Sequence, residues 1–147
     1  MIHLRPRIAA SLLLTLFSTV PAPDLASARD DVPDEVASLS NPLKELSPRD
    51  VRYYQKQFKA KCARCHGLDG GGGVREAAEQ EVPPANLTDD DFMSTRSDGQ
   101  LYYQILMGGG ERCAMPAFGP ESSHGWSEEK IWRMVSFVRR FSEPPAE

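Results

Sequence analysis

Two cysteines separated by two residues and followed at once by a histidine, Cys62-Ala63-Arg64-Cys65-His66, are the residue types in this chain whose spacing points most directly to chemistry. Thiols about one helical turn apart can add to the two vinyl groups along one side of a porphyrin, and the adjacent imidazole then lies under the iron. Cys-x-x-Cys-His is the attachment signature of c-type haem. Cys62 and Cys65 are therefore read as thioether anchors, His66 as the proximal iron ligand, and one haem c as the cofactor. Other chemistries fit less well. A zinc ion shared by Cys62, Cys65, His66 and Cys113 would need adjacent Cys65 and His66 to reach one tetrahedral centre. A thioredoxin-like dithiol needs a βαβ context that this chain lacks, and a disulfide across two residues would be strained.

The iron then needs a sixth ligand, or it stays open to gas or peroxide. Met115, in Met115-Pro116-Ala117-Phe118-Gly119, is the candidate, because its Gly- and Pro-bounded loop fits no core pattern. A thioether favours the reduced ion, so His66/Met115 ligation suits electron transfer. Met93, Met107 and Met134 read as gap-filling core residues. His124 is the rival ligand, expected on a solvated loop. Cys113 is left over and reads as a small buried apolar residue, with a redox-sensitive thiol or an intermolecular disulfide as the functional alternatives.

The elements that must position these groups are helical. Ser47 as N-cap, Pro48 at the first helical position and Asp50 at the third predict a helix start, and Val51, Tyr54, Phe58 and Cys62 continue one face. That helix runs directly into the cysteine motif, and Gly67 and Gly70 to Gly73 end it in a loop with no phosphate-loop signature. Ser97 and Gln100 form a capping box ahead of Leu101, Ile105 and Leu106, with a stop at Gly108-Gly109-Gly110. Ser127 caps a last helix with Glu128 and Glu129 in its first turn and Arg139 and Arg140 in its last. Its apolar stripe is Ile131, Met134, Val135, Val138 and Phe141, with Phe137 at the edge. No strand alternation and no repeat is visible, so the fold class is all-α over 47–142.

The rest of the chain reads as appendage. Arg5 and Arg7 precede the uncharged stretch Ile8 to Val20, and Ala26-Ser27-Ala28 gives a small-x-small cleavage site, so 1–28 reads as a secretory signal peptide. The stretch is shorter than the ~20 apolar residues of a spanning helix, so no stable membrane insertion of the mature chain is expected. Residues 29–46, acidic with Pro33 and Pro42, read as a poorly ordered leader or linker, and 143–147 as a tail. The expected compartment is the periplasm or another secreted location. Lys+Arg 17 against Asp+Glu 21 gives −4 in 147 residues. With no basic excess to neutralise phosphates, nucleic-acid binding is excluded. Hydrophobic residues at 40% are ordinary for a globular chain.

Cys62-Ala63-Arg64-Cys65-His66-Gly67, then Pro84-Ala85-Asn86-Leu87-Thr88, then Met115-Pro116-Ala117-Phe118-Gly119 before a terminal helix resemble the class I cytochrome c family. The likeness covers nearly the whole 47–142 unit. It implies three to five short helices around one covalent haem, with the N- and C-terminal helices crossing. It also implies Phe58 packed on Phe137, and a Pro83 or Pro84 carbonyl accepting the His66 Nδ1–H. One position departs from the family: Tyr54 stands where a glycine usually lets the helices touch, which implies a wider or shifted crossing. No nucleophile–base pair stands out, so no enzyme activity of its own is expected. The reading is a monohaem electron carrier with transient redox donors and acceptors. The alternatives are a dedicated acceptor or haem subunit of a periplasmic dehydrogenase, for example a quinoprotein, and an open-iron sensor or peroxidase-like protein.

Overall fold

Three serines set the starts of the three long helices. In a computed structural model, which describes residues 31–110 and 113–142, the helices are α1 (Asp34–Ala37), α2 (Pro48–Lys61), α3 (Ala63–His66), α4 (Arg75–Ala78), α5 (Asp90–Ser94), α6 (Asp98–Met107) and α7 (Glu128–Arg139). The Ser47 hydroxyl accepts from the Asp50 amide at 3.2 Å while Asp50 accepts from the Ser47 amide, also at 3.2 Å. Ser97 and Gln100 form the same reciprocal pair, and Ser127 accepts from Lys130. Each box satisfies amides that a helix start leaves without partners. The all-α class holds, with no strand among the described residues. The four shortest helices are single turns that punctuate the loops. The expected signal peptide and the 143–147 tail lie outside the described residues.

The three long helices carry the core. Ile131, Met134 and Val135 on α7 are at most 1% exposed, each contributing about 1.5–3 kcal/mol by burial. Phe58 of α2 meets Phe137 at 5.9 Å between ring centres and Phe141 at 4.8 Å, which is the anticipated crossing contact. Tyr102 of α6 stacks on Trp132 of α7 at 4.1 Å. Tyr54 is accommodated inside this junction, only 4% exposed, and burial pushes its phenol pKa up to about 12. Beside it, Arg133 of α7 reaches Asp50 at the start of α2, 3.4 Å away.

The segment before α2 corrects the leader reading. The described part of 29–46 is built into the fold. Val36, Leu43 and Leu46 pack against the core. Asn41 is 5% exposed; its Nδ2 donates to the Trp132 carbonyl at 3.0 Å and to Ser136 Oγ at 2.8 Å, and its Oδ1 accepts from the Leu43 amide at 2.8 Å. The Ser136 hydroxyl donates to the Leu43 carbonyl, and Ser97 Oγ donates to the Ala37 carbonyl, both at 2.6 Å. Gly99 lies so close under α1 that a Cβ there would stand 1.8 Å from the Val36 carbonyl oxygen. The segment is a strap across α6 and α7. Its polar anchors are backbone groups and one amide side chain, and its three apolar contacts are too irregularly spaced to give a period in the sequence.

Arg139 closes the lower end of the bundle. Its guanidinium donates to Asp98 Oδ1 at 3.0 Å, to the Met93 carbonyl at 2.6 Å and to the Arg96 carbonyl at 2.5 Å. One side chain thereby ties the end of α7 to the last turn of α5 and the first of α6.

Candidate haem site

Helix α2 ends at Cys62, whose amide donates to the Phe58 carbonyl at 2.8 Å. The chain restarts as α3, with the Cys65 and His66 amides both on the Cys62 carbonyl at 3.0 Å. This break places both thiols and the imidazole within one short turn. Gly67, at φ +78°, then reverses the chain, a conformation that favours glycine. The loop folds back so that the Leu87 amide donates to the Gly70 carbonyl at 2.8 Å.

His66 Nδ1 is 3.0 Å from the carbonyl oxygen of Ala85. This corrects the expectation of Pro83 or Pro84. Leu87, buried and bonded to Gly70, sets the register of the loop, and in that register the Ala85 carbonyl faces the ring. The contact makes Nδ1 the protonated nitrogen and leaves Nε2 with a free lone pair. Burial pulls the His66 pKa below its ordinary value against the opposing pull of the Ala85 hydrogen bond, so near pH 7 the ring is in its neutral form, the one able to bind a metal ion. Burial, assisted by the Cys65 neighbour, pushes the Cys62 thiol up to about 12, so it is a protonated thiol in the unmodified chain.

Across from this turn, 113–119 runs along the C-terminal end of α6. The Gly109 amide donates to the Met115 carbonyl at 2.9 Å, and the Phe118 and Gly119 amides donate to the Ile105 and Leu106 carbonyls, each at 3.0 Å. These carbonyls belong to the last turn of α6, where a helix leaves acceptors open. Gly108 has φ +75°, and a Cβ on it would come within 2.6 Å of the Met115 carbonyl oxygen. The glycine run therefore stops the helix and lets the Met115 loop lie against it. Gln104 Nε2 donates to the Gly108 carbonyl at 3.0 Å and to Met115 Sδ at 3.7 Å.

One cavity of about 860 Å³ lies between these two pieces, lined by Cys62, Cys65, His66, Gln104, Met115 and His124 and walled by Val82, Leu87, Phe92, Leu101 and Phe118. The four groups singled out from the sequence, Cys62, Cys65, His66 and Met115, all line it. A largely apolar cavity of this size, with two thiols and a neutral imidazole on one wall, fits a haem c. His124 stands on a loop with exposed neighbours, as expected, but its ring turns inward. Its ring stacks on Phe118, 4.4 Å between centres, and lines the same cavity. Cys113 is half-buried and also lines the cavity; a Cβ on Gly109 would stand 2.4 Å from its sulfur, so its contact with Gly109 is tight. Val32 of the strap lines the cavity too, a participant with no signal in the sequence.

Fold and site together define a c-type cytochrome. Residues 49–138 match the family described as cytochrome c oxidase, cbb3-type, subunit III, and the chain belongs to that family. Among solved structures, it resembles a chain of the Kuenenia stuttgartiensis reducing HAO-like protein complex Kustc0457/Kustc0458, with 24% identity and a TM-score of 0.54, over 71% of this chain and 50% of that one. The KustC0563 c-type cytochrome is 24% identical with a TM-score of 0.46, covering 60% of this chain and 96% of that one. Oxidised cytochrome c6A from Arabidopsis thaliana is 20% identical with a TM-score of 0.47, covering 65% and 93%. No curated protein matches the chain.

Proposed function

We propose that this chain is a periplasmic single-haem electron carrier, with thioether links at Cys62 and Cys65 and with His66 and Met115 as the axial ligands. The observation that carries the reading is the placement of both thiols, the Nδ1-anchored imidazole and the Met115 thioether on the walls of a single apolar cavity. The haem, when bound, supplies a one-electron couple. The protein's part is to fix the ligands and exclude water. Ala85 holds the His66 ring in its ligating tautomer, Leu87 and Phe118 keep the cavity apolar, and the end of α6 holds the Met115 loop. Partners are a redox donor and a redox acceptor in brief contact, which small and fast-dissociating interfaces permit.

The test is Met115→Ala in the haem-loaded protein. The weak sulfur-to-iron charge-transfer band of the ferric form should disappear while the haem stays covalently attached. A band that survives assigns the sixth position to another residue, and a wild-type protein that is high-spin from the start supports the open-iron alternative. N-terminal sequencing of the exported protein should start near Arg29. Membership of an oxidase-subunit family favours a second reading, a fixed haem subunit of a larger redox complex. Co-purification of stoichiometric partners at high salt would support that reading over the transient carrier.

A further inference from the structure

We propose that the first half of the strap, residues 31–39, is a gate over the haem cavity. It lifts as one piece about Ser40 and so sets how often small uncharged molecules enter. The inference goes beyond the carrier reading and takes from it only the placing of the haem in this cavity. Val32 lines the cavity together with Leu101 of α6, so the wall supplied by the gate is apolar and suits the passage of a neutral molecule. The gate is bonded within itself. The Val36 and Ala37 amides both donate to the Pro33 carbonyl at 2.9 Å, the Ser38 amide to the Asp34 carbonyl at 3.0 Å and the Leu39 amide to the Val36 carbonyl at 3.0 Å.

The two halves of the strap are held differently. Beyond Ser40, the Asn41 amide donates to Asp98 Oδ2 at 3.3 Å, its Nδ2 donates to the Trp132 carbonyl and Ser136 Oγ, and Ser136 donates to the Leu43 carbonyl. That half is bonded to α6 and α7. The half nearer the cavity is seated on α6: Val36 lies over Gly99, and Ser97 Oγ donates to the Ala37 carbonyl at 2.6 Å. Ser38, Leu39 and Ser40, which join the halves, are exposed. A piece bonded within itself and joined through an exposed junction opens as a unit, and an element of this kind over a cavity controls what reaches it. Gly99 is what lets the gate close. Its backbone is ordinary helix in the first turn of α6, where alanine would suit the helix better. A Cβ there would run into the Val36 carbonyl. The strap, and not α6, requires the missing side chain.

The experiment follows imidazole binding by stopped flow in the haem-loaded Met115→Ala protein, with Gly99→Ala, Val32→Ala or Asn41→Ala added. Gly99→Ala should raise the association and dissociation rate constants together by about tenfold, the factor that loss of the Ser97–Ala37 hydrogen bond gives an opening equilibrium, and leave Kd unchanged, because a gate alters passage in both directions. Val32→Ala, which thins the same wall without touching α6, should raise both rates as well. Asn41→Ala should leave both rates as they were, since its bonds lie beyond Ser40. Unchanged rates in Gly99→Ala, with faster proteolysis near Ser40 showing that the half has been released, overturn the gate. A Gly99→Ala protein with one rate altered and a new Kd also overturns it, because the cavity itself has then been reshaped. Equal acceleration in Asn41→Ala overturns it too, since entry would then follow opening of the whole domain. A purified wild-type chain without Soret absorbance overturns the haem reading and this inference with it. A sulfur-to-iron band that persists in Met115→Ala overturns only the choice of sixth ligand, and the rate comparison stands because every variant shares the same iron site.

Discussion

Replacing Asn41 by alanine should lower the stability of the whole domain, although the residue lies outside the sequence region that carries the haem motifs. The side chain makes three hydrogen bonds, to the Trp132 carbonyl, Ser136 Oγ and the Leu43 amide, at 2.8–3.0 Å, and is 5% exposed. Each bond contributes about 0.5–1.5 kcal/mol net, and a buried partner left without one loses more. The Trp132 carbonyl lies inside α7 and keeps a helical partner, whereas the Leu43 amide loses the acceptor that shapes its turn. The total is ~2–4 kcal/mol, a large part of the stability of a small domain. Guanidinium unfolding of the haem-loaded protein, followed by circular dichroism, would read this as a lower midpoint with an unchanged slope. The haem spectrum should not change, since Asn41 does not line the haem cavity. A midpoint within experimental error of wild type would refute the reasoning, because the strap would then be attached to the fold without belonging to its cooperative unit.

Other perturbations probe the remaining joints. Cys62→Ala with Cys65→Ala should give a chain with no covalent haem and little fixed tertiary structure, read by near-ultraviolet circular dichroism, because a cavity of about 860 Å³ would stand empty in the middle of a small core. Arg139→Leu should cost ~2–4 kcal/mol, since it leaves Asp98 and the Met93 and Arg96 carbonyls without their shared donor; thermal unfolding would show the loss. The Asp50 carboxyl is held below its ordinary 3.8, chiefly by the Ser47 hydroxyl hydrogen bond. A carboxyl lowered in the folded state adds stability above its unfolded value and loses it as pH falls through the lowered one. Asp50→Asn should therefore flatten the acid side of the stability profile below about pH 4, and an acid limb identical to wild type would exclude the capping box as its source.

The long helices were legible because their signals are local. Ser47, Ser97 and Ser127 cap where expected, and the stripe from Ile131 to Phe141 faces the core. The turn that brings two thiols and an imidazole to one cavity was legible because those groups lie within five consecutive residues. What the sequence hid is long-range and polar. The strap is anchored by Asn41 to backbone 91 positions away, a contact with no period and no composition. His66 meets the Ala85 carbonyl in place of a proline carbonyl because the register is set by Leu87 and Gly70, and any residue type can offer a carbonyl. Arg139 read as a dipole-favourable basic residue at a helix end, yet its fork joins three elements. His124 had the composition of a solvated loop around it, and only the stacking on Phe118 brings it to the cavity wall.

The loop that carries Met115 also completes the end of α6, since Phe118 and Gly119 donate their amides to the Ile105 and Leu106 carbonyls. Those two amides are natural isotope reporters. Their protection against hydrogen–deuterium exchange measures the free energy needed to lift the loop, residue by residue and without reference to iron absorbance. Because the same opening takes the Met115 carbonyl away from the Gly109 amide, that amide should exchange at a matching rate. The helix end and the Met115 loop would then open as one unit, so that the frequency of helix fraying sets how often the sulfur leaves its place.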